Sequence, residues 1–252
     1  MAHKTQTPMA GHAVLVTGGA RRVGAAIART LHAAGADVIL HYRTSAAEAE
    51  FLARELNDAR ARSAQTLQAD LLDVGELAPC IDAAVGAFGR LDVLVNNAST
   101  FYPTPMGAIT PQDWDDLMGT NVRAPLFLSQ AAAPALRKSG GLIINLLDIH
   151  GFRPLKRFAV YCTAKAALAM LTRALARELA PEVRVNGIAP GPILWPEDAP
   201  DPQLKAKIIS QTLLQRQGSP DDVARTALFL AAEAPYITGQ ILAVDGGRSV
   251  GW

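Results

Sequence analysis

Seven short runs of β-branched and other apolar residues alternate with longer segments of helical period, and this pattern restricts the chain to few architectures. The runs are 13–17 (AVLVT), 37–42 (DVILHY), 64–70 (AQTLQAD), 92–98 (DVLVNNA), 142–147 (LIINLL), 183–189 (VRVNGIA) and 241–247 (ILAVDGG). Most are near-continuously apolar at their centres, as expected of parallel strands covered by helices on both faces. The expected fold is therefore α/β: a doubly wound, mostly parallel seven-stranded sheet lying in the interior. Hydroxyl-proline pairs with acids following, Thr110-Pro111 and Ser219-Pro220, mark helix starts. With 252 residues, half of them hydrophobic, the chain can bury this core as a single domain spanning 1–252. The Pro-rich stretch from Pro190 to Pro202 opens an irregular substrate loop of about 190–217.

The first run leads directly into TGGARRVGAAIARTLHAAG, where Gly18, Gly19 and Gly24 surround the turn into a helix. Glycine lets the backbone approach a pyrophosphate, and the following helix N-terminus offers free N–H groups and a favourable dipole. In that position the cluster reads as the phosphate cradle of a Rossmann-type domain. At the end of the second run an acid would grip a ribose 2′-hydroxyl. None stands between His41 and Ser45, and Arg43, Thr44 and Ser45 offer a cation and two hydroxyls. The expected cofactor is NADPH, against the alternative that Arg43 is a solvated surface residue.

In the helix expected to begin near Phe158, Tyr161 and Lys165 are separated by one helical turn and share a face. A neighbouring ammonium favours phenolate and is expected to bring the tyrosine proton toward the working range, making Tyr161 a donor for a reduction. A chance YxxxK pair is the plain alternative.

Taken together, the glycine turn, Asn96-Asn97-Ala98 after the fourth run, Asn121, Tyr161 with Lys165, and Pro190-Gly191 resemble the short-chain dehydrogenase/reductase family over nearly the whole chain. The resemblance implies roles for further residues. Thr17, Gly18, Val23, His41, Tyr42, Asp70, Leu71, Asn97, Ala98 and Ile193 fall along the cofactor, with Asp70 at its adenine and Pro190-Gly191 beside its nicotinamide. Lys165 also holds the nicotinamide ribose, and Asn121 supports a proton-relay water.

Two departures from the family pattern sharpen the reading. Arg22 stands where a glycine is usual, and Asp148 stands thirteen places before the tyrosine where a serine is usual. A carboxylate repels a carbonyl oxygen. It suits a substrate that presents ring N–H or amino donors, or else it is held protonated and passes a proton on. Both departures, with LHYRTSAAEA, NNASTFYPTP and YITGQILAVDGG, resemble the pteridine reductase branch. By that resemblance Phe101 stacks a pterin, Arg22 contacts pterin and cofactor phosphate, and Ser99 touches the cofactor. Plain loop packing is the alternative for Phe101. Trp195 either lines the substrate pocket or anchors its loop; His150 reads as a loop histidine and Cys162 as packing.

The expected activity is NADPH-dependent reduction of a dihydropterin or dihydrofolate at a ring C=N, with Tyr161 as proton donor and Asp148 orienting the ring. The rivals are a carbonyl reductase acting on 3-oxoacyl thioesters, and a regulator that senses NADP(H) without turnover. A net charge of +1 without a basic run gives no nucleic-acid or membrane-surface footprint, and no apolar run reaches the roughly 18 residues of a span. Two cysteines without metal-ligand spacing give neither a metal site nor a disulfide framework. The N-terminus lacks the apolar core of a signal peptide, so a cytoplasmic protein is expected. By family resemblance it is a homotetramer built on helices over 110–137 and 158–180, whose small-residue faces allow close packing.

Overall fold

The structure, a computed structural model, describes residues 7–195 and 201–251. Seven strands form one sheet: β1 Ala13–Val16, β2 Asp37–Tyr42, β3 Ala64–Gln68, β4 Val93–Asn96, β5 Leu142–Leu146, β6 Arg184–Pro190 and β7 Ile241–Val244. Their order is β3-β2-β1-β4-β5-β6-β7, and every pairing is parallel. Eight helices accompany them among the described residues: α1 Arg22–Ala33, α2 Ala46–Ala59, α3 Val74–Phe88, α4 Pro111–Met118, α5 Ala124–Ser139, α6 Ala159–Leu179, α7 Pro202–Ser210 and α8 Pro220–Ala232. None of them is long and apolar enough to cross a membrane.

Strand periodicity sorts the core into two layers. Ile39, Leu15, Leu94, Ile143 and Val185 stand in register across five strands and pack on Leu77, Ile81, Leu128, Leu136, Leu175 and Leu179 from α3, α5 and α6. The alternate row, Leu40, Val16, Val95 and Ile144, faces α1 and α8 through Ile27, Leu31, Val223 and Leu230. The central strands are covered on both sides. The two edge strands depart from that expectation: Gln65 and Gln68 of β3 and Ala243 of β7 are exposed. An edge strand has one neighbour, and its flanking helix covers only part of its width.

Several runs end earlier than their apolar pattern. β3 stops at Gln68, β4 at Asn96 and β7 at Val244, because the following residues leave the ladder to build the site or the C-terminal turn. The helix expected over 110–137 is interrupted by a π-helical turn, Gly119–Arg123. The stretch expected to be loop from 190 to 217 contains α7; residues 196–200 of it lie outside the described residues.

Both hydroxyl-proline starts are capping boxes. Ser219 Oγ accepts the Asp222 N–H (3.2 Å), and Asp222 Oδ2 accepts the Ser219 N–H (2.8 Å); Thr110 and Asp113 repeat the arrangement. Ser219→Ala is expected to cost about 1 kcal/mol of unfolding free energy. A urea denaturation midpoint shifted down at unchanged slope checks it.

Candidate active site

The strand order reverses between β1 and β4, so their connections leave in opposite directions and open a crevice at the C-terminal edge of the sheet. A cleft of about 370 Å³ occupies it. The ends of the first four strands supply its walls: Gly18, Arg22 and Val23; Tyr42, Arg43, Thr44 and Ser45; Asp70 and Leu71; Asn97, Ala98 and Ser99. Arg21, Leu72, Thr100 and Thr120 also line it. These four carry no motif of their own, although Arg21 lies within the glycine stretch and Thr120 directly precedes Asn121.

Close approach explains the glycines. A Cβ on Gly24 would stand 2.3 Å from the Gly18 carbonyl oxygen, and Gly18 itself has φ +59°. Arg22 has φ +54°, the left-handed region that glycine tolerates best. Its guanidinium Nη2 donates to the Trp195 carbonyl (3.0 Å), so a side chain from the glycine turn reaches the segment after β6. α1 starts beside it with no capping side chain at Arg21 and no acid in its first turn, which leaves backbone donors for an anion.

Some residues assigned to the cofactor act one step removed from the cleft. Thr17 is buried; its hydroxyl accepts the N–H groups of Asn97 (2.9 Å) and Ala98 (3.0 Å). Asn97 Nδ2 donates to the Thr17 and Gly18 carbonyls, tying β4 to the glycine turn. Asn96 points away and donates to Asn145 Oδ1 (2.8 Å). His41 borders the cleft, but its ring is buried with both nitrogens engaged. Lys165, Pro190, Gly191 and Ile193 do not line the cleft. Ile193 packs into the core, and Gly191 pairs with Val244 at the end of β7.

Beyond Ser99 lies a cluster of Asp148, Tyr161, Lys165 and Asn121. The β5–α6 connection carries Asp148, which caps a 3₁₀ turn, Ile149–Gly151, by accepting the His150 N–H at Oδ1 (2.8 Å). Its other oxygen, Oδ2, accepts the Tyr161 hydroxyl at 2.8 Å. Lys165 is fully buried one turn on; its Nζ donates to the Leu146 carbonyl (2.9 Å) and lies 5.7 Å from the Tyr161 ring centre. The π-helical turn presents Asn121, whose Oδ1 accepts the Ser99 hydroxyl (2.6 Å) and whose Nδ2 donates to the Thr100 and Leu117 carbonyls. Such turns recur at functional sites because they redirect one side chain out of helical register.

The electrostatics reverse one expectation. Burial, then the Asp148 charge and its hydrogen bond, push the Tyr161 phenol well above its ordinary value. Burial pulls Lys165 down to about 8, with Asp148 opposing. The ammonium does not lower the phenol, because the closest charge to the tyrosine is the carboxylate and both groups are out of water.

A titration checks the lysine. Below about 8 the buried ammonium is a standing cost; between about 8 and 10.5 the native chain has released a proton that the unfolded chain keeps, so native stability rises with pH. The stability of wild type relative to Lys165→Met is therefore expected to increase by roughly 3 kcal/mol across that window. Urea unfolding of both proteins from pH 7 to 10.5 measures it.

Phe101 stacks on Phe158 (centroids 4.5 Å, 14°) and meets Tyr161 edge-on (4.8 Å, 78°). It remains 45% exposed, so part of the ring is open beside the tyrosine. Phe158 carried no sequence signal beyond its place before α6. Trp195 behaves as a loop anchor: its Nε1 donates to Gln217 Oε1 (3.0 Å), and Lys205 lies 5.8 Å from its ring centre. The His150 ring bonds the Arg153 carbonyl within its own loop, and Cys162 is packed, its thiol raised by burial.

The family profile described as enoyl-(acyl carrier protein) reductase matches residues 18–249. The chain belongs to the short-chain dehydrogenase/reductase family. This short-chain reductase is 39% identical to pteridine reductase 1 of Leishmania tarentolae, over 94% of this chain and 96% of that protein. It is 38% identical to the 3-oxoacyl-acyl-carrier-protein reductase of Staphylococcus aureus, over 92% and 96% respectively. A solved structure similar to the short-chain reductase is the crystal structure of a blue fluorescent protein from a metagenomic library in complex with NADPH. Their TM-score is 0.89 at 36% identity, covering 95% of this chain and 98% of that one.

Proposed function

We propose that this short-chain reductase reduces a dihydropteridine at a ring C=N bond with NADPH. The carrying observation is the Asp148 carboxylate bonded to the Tyr161 hydroxyl beside an exposed aromatic ring.

The cleft fits the cofactor. It lies at the switch point, the Gly24 approach keeps its floor open to a pyrophosphate, and the uncapped start of α1 supplies donors. Arg43, with Thr44 and Ser45, would hold a 2′-phosphate, joined by Arg21. When bound, NADPH supplies the hydride. A charge-assisted contact contributes about 1.5–3 kcal/mol, so Arg43→Ala is expected to weaken NADPH binding roughly 10- to 100-fold. NADH binding should stay unchanged, as fluorescence titration with the two nucleotides would show.

Asp148 accepts hydrogen bonds from ring N–H or amino groups and so orients a heterocycle that a serine would not select. Tyr161 donates the proton to the ring nitrogen; its raised affinity keeps that proton in place at neutral pH. Phe101 gives the flat substrate a face to lie on, contributing about 1 kcal/mol beyond burial. Asn121 fixes Ser99 between cleft and tyrosine.

The similarity to a 3-oxoacyl reductase keeps a carbonyl substrate as the second reading. NADPH consumption with 7,8-dihydrobiopterin, dihydromonapterin and dihydrofolate, beside a 3-oxoacyl thioester and a diketone, tests both. Turnover of the carbonyls alone overturns the pteridine reading.

A further inference from the structure

Residue 41 receives both leading glycines of the phosphate turn. The Gly18 N–H donates to His41 Nδ1 (3.0 Å), and the Gly19 N–H donates to the His41 carbonyl (2.9 Å). A backbone N–H can only donate, so Nδ1 presents a lone pair. The other ring nitrogen, Nε2, stands 3.1 Å from the Ala69 carbonyl, which can only accept, so Nε2 carries the proton. The contacts thus fix the ring as the neutral Nε2–H tautomer, at 2% exposure. Imidazolium would set an Nδ1–H against the Gly18 N–H and leave that buried amide without an acceptor. Burial disfavours the charged ring in the same direction; the Ala69 hydrogen bond and then the Asp70 charge, just beyond β3, oppose more weakly.

Through these bonds the ring ties the end of β3 to the end of β1. It meets Gly18 where the backbone turns left-handed (φ +59°), and residue 41 engages the first two glycine amides. An anion in the cleft must then be met by amides further along, where α1 starts uncapped. We propose that His41 is the positioning residue of the phosphate turn: its neutral Nε2–H tautomer, by accepting the Gly18 N–H, holds the turn in its dinucleotide-binding shape. The functional half of this rests on the reading of the cleft as the NADPH site; the tautomer itself does not.

Two measurements test it. Imidazole ¹⁵N spectra of the wild-type protein without nucleotide should show the His41 Nε2 protonated and Nδ1 bare. The ring should remain neutral at about pH 6, where an ordinary histidine (~6.5) is mostly protonated. Fluorescence titration with NADPH then compares His41→Leu with His41→Asn, whose amide oxygen can replace the Nδ1 acceptor. His41→Leu is expected to weaken binding about 10-fold or more, and His41→Asn to recover most of the loss. An Nδ1-protonated or charged ring at pH 7 overturns the assignment, and so does wild-type affinity in His41→Leu. Equal weakening in both variants, with wild-type melting temperatures, overturns the acceptor role. A wild type that binds no NADPH overturns the cofactor reading and the functional half with it, while the spectra still decide the tautomer.

Discussion

Asp148→Ser is expected to lower kcat/KM for a dihydropteridine by about 100-fold or more while raising it for a 3-oxoacyl thioester. The opposite signs follow from what the side chain can do. A carboxylate accepts from the N–H groups of a heterocycle and repels a carbonyl oxygen; a hydroxyl can donate to that oxygen. Sites built around a specific polar partner discriminate by roughly 10⁴ when that partner is lost, and acid–base participation alone contributes about 10²–10⁴. The fold should tolerate the exchange, because a serine oxygen can still accept the His150 N–H that Asp148 Oδ1 now caps. Steady-state rates with NADPH on both substrates give the answer. A uniform loss on both would show that Asp148 serves a step common to them and does not set the substrate class.

The parts of this molecule that repeat along the chain were legible before folding. Short apolar runs set between segments of helical period located all seven strands, and the Thr110 and Ser219 starts became capping boxes because that chemistry is local. What escaped depends on which elements become neighbours. The exposure of β3 and β7 follows from their position at the sheet edges, which their own residues do not encode. The i,i+4 spacing of Tyr161 and Lys165 was visible, but the sign of the electrostatics was not. It is set first by burial of the tyrosine itself and then by Asp148, thirteen residues earlier.

The same limit applies around the substrate loop and the glycine turn. The partner of the Trp195 indole, Gln217, lies twenty-two residues away, beyond the reach of local pattern. Phe158 became notable only because the β4–α4 loop lays Phe101 against it. His41 was assigned to the cofactor by resemblance, and only the fold shows that its ring faces two backbone groups. The Arg22 backbone is similar: its sequence signal was a departure from glycine, and the left-handed φ gives that departure a physical meaning.

Tyr161→Phe separates the two ways the site can deliver a proton. Loss of a positioned proton donor is expected to reduce turnover by about 10²–10⁴-fold. NADPH affinity should be unchanged, since Tyr161 does not line the cleft. Stability should move by no more than about 1 kcal/mol, because Asp148 is half-buried and keeps the His150 N–H. In the structure the tyrosine hydroxyl donates to Asp148 Oδ2, so the two groups are coupled through one hydrogen bond. If Tyr161 is the donor, single-turnover reduction at saturating NADPH falls with the hydroxyl, and Asp148→Asn, which keeps the side-chain shape, falls less. If Asp148 carries the proton to the ring, Asp148→Asn suffers the larger loss and Tyr161→Phe retains appreciable turnover. Equal, non-additive losses in the two variants and their double mutant would identify the pair as a single acid.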